Sequence, residues 1–194
     1  VYANTIDGKE NIELSAQEGV RIERGNATLT SERAFMDLTS DEVKLEGNVL
    51  LQRGQDTTIR GPRARLNIDT WFGEFDTPEY SMTTLSRPAS ARSRKLYADA
   101  QPRTIVGSGH ADLIKFEGEN QYRLFNSTYS TCQGPNPDWY LKISELELDL
   151  DRNDGEGHHN VVVFQNVPLI YTPWLQFPLD GRRQSGLLPP SFGS

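Results

Sequence analysis

The residues best equipped for chemistry are Asp149, Asp151 and Asn153, spaced like the first ligands of an EF-hand calcium loop. The rest of the loop does not follow. Its required sixth-position glycine is Asp154, with Gly155 one place late, and the twelfth position is Asn160 in place of a bidentate Glu. His158 and His159 lie beside it, but neighbours on a regular strand point to opposite faces and cannot share one ion. No Cys or third His is near enough in sequence to complete a zinc set, so these histidines read as turn or strand-start residues. Cys132 carries no catalytic-thiol motif, and His110 is distant from it in sequence. Gly107-Ser108-Gly109 lacks the third glycine and following helix of a dinucleotide site, and neither a G-x-S-x-G elbow nor a P-loop occurs. Asn26-Ala27-Thr28 and Asn126-Ser127-Thr128 match the glycosylation sequon, a pattern common by chance. Carboxylates are plentiful but fall on alternating solvent faces. The expectation is a protein that is not an enzyme and uses no cofactor and no metal.

Composition narrows the class further. The chain has 194 residues, 24% charged and 36% hydrophobic, with a net charge of −7. That is enough for one domain with a sizeable core, and its polarity suits antiparallel sheets with solvated strand faces. An acidic balance argues against nucleic acid as a partner. No run approaches the 18 apolar residues of a spanning helix. The start at Val1, without an initiator Met, reads as a processed or trimmed end. Cys132 is the sole cysteine and cannot bridge internally. It is either a reduced, partly buried thiol or half of a bridge whose partner lies outside this sequence.

The elements that must position these residues are short strands. Residues 1–11 are polar and read as a mobile arm. Val20-Arg21-Ile22-Glu23 alternates strictly and turns at Arg24-Gly25-Asn26; Val43-Lys44-Leu45-Glu46 repeats this before Gly47-Asn48. Ala34, Met36 and Leu38 alternate, as do Ala64, Leu66 and Ile68, and residues 70–74 around Trp71-Phe72-Gly73 read as a turn. Residues 86–95 (SRPASARSRK) have no periodicity and read as a solvated loop, with phosphate, nucleic acid or anionic headgroups as lesser alternatives. Residues 111–117 and 121–129 form a strand pair around Gly118-Glu119-Asn120. Residues 139–150 are a strand with Leu146, Leu148 and Leu150 on one face; 151–157 are a loop, and 161–164 an apolar strand. The sum is about ten to twelve short antiparallel strands, a sandwich or jelly roll.

Residues 166–193 (NVPLIYTPWLQFPLDGRRQSGLLPPSFG) stand apart. Pro168, Pro173 and Pro178 exclude helix and disfavour a central strand, since proline in sheets keeps to edges, first positions or bulges. An extended apolar ribbon remains, followed by the basic turn Arg182-Arg183.

From Tyr122 onward the motifs become specific: YRLFNSTYSTC ending at Cys132, a Gly/Pro loop, Asp138-Trp139, ISELELD, NVPLIYTPWLQFP, then Arg182-Arg183-x-Ser185-Gly186-Leu187-Leu188-x-Pro190. This stretch resembles the LptD family of LPS-assembly proteins of Gram-negative outer membranes. The first part matches only the looser OstA-like pattern, with Gly47-Asn48-Val49 as its best trace. The resemblance implies a twisted, V-shaped OstA-like β-jelly roll over residues 12–175, and a linker at 176–194 into an outer-membrane β-barrel. It implies that this domain lies on the periplasmic side of the outer membrane. There it would take lipopolysaccharide from the bridge protein LptA by edge-strand pairing and pass it to its own barrel, which works with the lipoprotein LptE. Cys132 then corresponds to a family cysteine paired with one in the barrel. Pro168, Pro173, Trp174, Pro178, Arg182 and Arg183 become the hinge and lipid exit, with a plain solvated turn as the alternative for the two arginines.

Two apolar inner faces can close on their own side chains or splay to accept acyl chains, each buried methylene contributing about 0.8 kcal/mol. Alternation nominates Met36, Leu38, Val49, Leu66, Ile68, Phe116, Leu124, Leu146, Leu148, Val163 and Ile170 as groove-facing, each also readable as ordinary core. The N-terminal edge for the bridge protein is expected within residues 12–29, at Val20 and Ile22, where a proline should weaken pairing and spare the fold. The competing reading is a structural β-domain that positions barrel and bridge without binding lipid. A carbohydrate-binding jelly roll would want aromatics on one flat face, whereas Trp71, Trp139 and Trp174 are scattered.

Overall fold

A computed structural model describes residues 2, 5–9, 13–86, 103–132, 134 and 136–179. These residues form thirteen antiparallel strands, and no helix occurs among them. In chain order they are β1 (Thr5–Lys9), β2 (Glu13–Arg24), β3 (Ala27–Asp37), β4 (Glu42–Arg53), β5 (Thr57–Asn67), β6 (Phe72–Asp76) and β7 (Glu79–Ser86). Then come β8 (Arg103–His110), β9 (Leu113–Glu117), β10 (Gln121–Tyr129), β11 (Trp139–Asp149), β12 (Asp154–Phe164) and β13 (Val167–Pro178). Several of the described hairpin turns carry a residue suited to positive φ, such as Gly25, Gly54 or Asn153.

The strands make one open sheet in the order β1-β2-β3-β4-β5-β6-β9-β10-β11-β12-β13. Strands β7 and β8 continue β6 and β9. Strand β5 pairs with β6 through Arg63–Leu66 and with β7 through Thr57–Arg60, in one register. The break lies at Thr77 (φ 38°) and the buried Pro78, with Ala111 and Asp112, between β8 and β9, opposite it.

That break belongs to a line of irregularities crossing the sheet. Register shifts occur between Gln17 and Val20, between Thr30 and Arg33, and between Glu46 and Val49. Positive φ falls on Gly19, Gly47, Asn48, Thr77, Asn126 and His159 along the same line. Inward spacing changes there: Ile143 and Leu146, three apart, are both buried. Strict alternation would put one of that pair outside. The sheet bends along this line and packs its two halves against each other. One half contributes Ala34, Leu45, Ala64, Phe75, Ile114, Leu124 and Leu146; the other contributes Ile22, Leu29, Leu51, Ile59 and Tyr80, all in a single core. This is the expected twisted jelly roll, built by kinking long strands.

Three local expectations change. Thr5–Lys9 forms an edge strand with five register pairs to β2, within the stretch read as a mobile arm; backbone pairing does not require the apolar alternation that TIDGK lacks. Strand β6 starts at Phe72, inside the expected turn at 70–74, because Phe72-Gly73-Glu74-Phe75 alternates and buries Phe75. Strand β12 starts at Asp154, inside the expected loop at 151–157, where Gly155 and Gly157 let it run beneath neighbouring side chains. The expected loop at 86–95, apart from Ser86 at the end of β7, and the Arg182-Arg183 turn lie outside the described residues.

Candidate lipid groove

The interior is organised as rungs, in which residues on successive strands stand side by side. One rung runs Met36, Val43, Leu66, Gly73, Phe116, Tyr122, Leu148, Gly155, Phe177 from β3 to β13. The next runs Ala34, Leu45, Ala64, Phe75, Ile114, Leu124, Leu146, Gly157, Leu175. Six groove candidates, Met36, Leu66, Phe116, Leu124, Leu146 and Leu148, therefore share two adjacent rungs. Val49 is fully buried on the other half, opposite Gly61, and Ile68 packs half-buried against the core just after β5. Val163 is buried between Tyr140 and Pro168, outside the main core.

Two candidates do not face inward. Leu38 lies one residue past the end of β3, in a turn, and is exposed. Ile170 is exposed on the sheet's last strand, where it pairs with Val162 next to the register shift at Val162/Val163. Leu45, Phe75 and Ile114 are central to the rungs and were not among the candidates. The alternation in LIKFE and VKLE carries the signal for Ile114 and Leu45, while Phe75 directly follows the turn expected at 70–74, with too few residues before the next turn to show a period. The interior is closed in this structure, with Phe75 of the second rung and Val49 of the other half both at 0% exposure. Shelter for a lipid therefore requires the two halves to part.

At the N-terminal end, Val20 and Ile22 are buried side chains of β2. Arg21 exchanges two backbone hydrogen bonds of 2.8 Å with Tyr2, on the outer side. Alternation then turns the amides of Val20 and Ile22 towards Ser31 and Leu29 of β3. The outward groups at this point of the edge belong to Arg21, and a proline at Val20 or Ile22 would strike the fold itself.

At the C-terminal end, β13 pairs with β12 along its length and leaves Val167, Leu169, Ile170, Tyr171 and Trp174 exposed. Pro168, Pro173 and Pro178 are tolerated there, as prolines are on an edge. Trp174 donates its indole N–H to Glu156 at 2.6 Å, and Glu156 also meets His158 at 3.1 Å. His159 instead meets the Tyr171 hydroxyl at 2.7 Å, so the two histidines hold separate partners. Asp149 accepts the amides of Asp151 and Arg152 at 3.0 and 2.9 Å, a turn-closing role for the would-be first calcium ligand.

Cys132 is half-buried and unbridged, with its amide held by Ser130 Oγ at 3.0 Å. It borders an open depression of about 1090 Å³ lined by Arg60, His110, Tyr140 and Lys142 among others. Tyr80 lies beneath this depression and donates to the Thr128 carbonyl at 2.6 Å; burial holds its phenol well above the ordinary value. The outer face is ionic: Arg123 sits 2.9, 2.6 and 2.6 Å from Glu117, Glu145 and Glu147. Exposed pairs of this kind favour solubility more than stability.

No family model matches the chain. It is 44% identical over 193 residues to the LPS-assembly protein LptD of Aromatoleum aromaticum and 42% identical over 194 residues to that of Azoarcus sp.. It is 31% identical over 194 residues to the LptD of Nitrosomonas eutropha. Each match takes in 100% of this chain but only 23–24% of the relative. The chain thus spans about a quarter of the length of these relatives.

Proposed function

We infer the function from kinship and geometry together: the chain belongs to the LptD family of LPS-assembly proteins, and it acts as that protein's lipopolysaccharide-sheltering domain. Lipopolysaccharide is received at the N-terminal edge, its acyl chains lie between the two halves of the sheet, and it leaves past β13 for the barrel. The single observation that carries this reading is the pair of apolar rungs, unbroken across nine strand positions. Eight strand spacings give a tract of roughly 40 Å. Similar apolar surroundings at successive rungs let a chain move without being trapped, because no position binds far better than its neighbours.

The partners follow from the same reading. The bridge protein LptA adds to the N-terminal edge of the sheet, which among the described residues ends at β1. The barrel and the lipoprotein LptE complete the complex in the outer membrane, with this domain on the periplasmic side. Cys132 forms the link to the barrel, consistent with a half-buried thiol beside an open depression. The proline-spaced β13 and the arginines after it serve as hinge and exit.

The second reading, a docking domain that binds no lipid, is favoured by the closed interior. Photocrosslinkers at Met36, Phe116 and Leu148 of the full-length protein in cells separate the two. Lipopolysaccharide adducts at these positions support the shelter; their absence at all three leaves the docking role.

A further inference from the structure

The two halves of the bent sheet are joined differently on their two sides. On one side they are continuous through the bend, with hydrogen-bonded strands running across it. On the other side the hairpin turns of one half meet those of the other through side chains. Arg24, at the β2–β3 turn, pairs with Asp69 of the β5–β6 turn at 3.1 Å and donates to its carbonyl at 3.2 Å. Arg53, at the β4–β5 turn, reaches the β9–β10 turn. It donates to the Glu119 carbonyl and the Tyr122 hydroxyl, and to Asn120 Oδ1 at 3.1 Å. Tyr122 in turn donates to the Glu119 carbonyl at 3.1 Å, and the Arg53 guanidinium lies 5.9 Å from the Trp71 ring centre. The Arg53 side chain is 17% exposed. Trp71 holds a positive φ of 59°, costly for a bulky residue and sustained only by its surroundings. Directly behind lie Ile68, Trp71 and Tyr122, packed on the core.

We propose that Arg24 and Arg53 are latches across the mouth of the jelly roll, and that their release admits an acyl chain from the side. The inference rests on the reading of the interior as a lipid shelter. The rungs are closed, so a chain can enter only if the halves separate. Parting them at the bend would break backbone ladders on every strand. Parting them at the mouth breaks no strand ladder: among the described residues the two arginine clusters let go, the apolar packing behind them passes to the entering chain, and the bend acts as the hinge. Polar side-chain contacts suit this role because water can replace them as the mouth opens, whereas an apolar seal would expose new surface. The Arg24–Asp69 pair is the more solvated, with side-chain exposures of 38% and 67%, and is the first to yield.

The test compares the chain with R53M, R24M, the double variant and R53K. Hydrogen exchange without any lipid reads the mouth itself, at residues 54–56 and 118–121. Stopped-flow binding of pyrene-labelled dodecanoic acid reads admission. The double variant should exchange about tenfold faster at both turns while the β10–β11 ladder stays protected. Its association and dissociation rates for the probe should both rise about tenfold, with the dissociation constant changed less than threefold. R53K should fall between, since lysine keeps the charge but not the fork of donors. Unchanged exchange at both turns overturns the latch. Faster exchange with unchanged probe rates also overturns it, and leaves the shelter standing. Faster exchange with no probe binding by any form overturns the shelter reading and with it the admission step.

Discussion

The ring of Phe177 on β13 lies over Gly155 on β12, its register partner, where an added Cβ would stand 2.7 Å from the ring. The glycine is what allows the last strand to cap the rung that begins at Met36. Gly155→Val should push the ring outward and cost about 1–3 kcal/mol through overpacking. A denaturant melt gives the loss, and faster hydrogen exchange confined to β13 locates it. Unaltered protection of β13 would show that Phe177 does not cap the rung.

Phe75 sits at 0% exposure in the middle of its rung, between Ala64 and Ile114. Phe75→Ala should destabilise the domain by about 3–5 kcal/mol, as a large cavity in a close-packed core does. If the same variant gains affinity for a small apolar probe, the cavity has stayed open and the two halves are stiff. If it gains none, the halves have collapsed into the space.

Alkaline pH should unfold this domain early. Burial is the leading cause that raises the phenols of Tyr80, Tyr122 and Tyr129 above their ordinary value of 10.0. A folded value above the unfolded one gives stability that is complete below the unfolded value and lost as pH rises through the folded one. The melting temperature should be flat from about pH 7 to 9 and fall above about pH 10. Tyr80→Phe removes a bond to the Thr128 carbonyl, so it should cost about 1 kcal/mol at neutral pH and make the alkaline fall shallower.

The N-terminal edge can be dissected with proline. Arg21→Pro removes an outward donor to Tyr2 and leaves the β2–β3 ladder whole. Val20→Pro removes an inward donor and exposes a break in that ladder. The second should cost about 1–3 kcal/mol of stability, read from a melt, while the first should loosen only the bridge to Tyr2. Equal losses would mean that the amide directions along β2 are reversed.

Strand existence was legible because Val20-Arg21-Ile22-Glu23, Val43-Lys44-Leu45-Glu46 and the Leu146/Leu148 pair alternate cleanly, and each lies in a strand. The proline-spaced ribbon is the edge strand that proline chemistry allows. What alternation could not carry was the bend. A kink changes which residues face inward: beside the positive-φ residues Asn126 and His159, Ile143 and Leu146 are both buried although strict alternation separates them. The signal for it was present as Gly19, Gly47-Asn48 and Asn126, residues that tolerate positive φ, but a single such residue reads equally well as a turn. Contacts across the mouth were out of reach. Arg53 and Glu119 are 66 residues apart, and nothing local marks them as partners.

The line of kinks makes the curvature of this domain a collective property. Each strand is hydrogen-bonded to neighbours bent at the same place, so no strand can straighten unless the ones beside it do so too. Thermal motion that would flex a lone hairpin is therefore shared across the whole width. The angle between the two walls should change as one coordinate, with intermediate shapes sparsely populated and substitutions far apart along the line acting on the same opening.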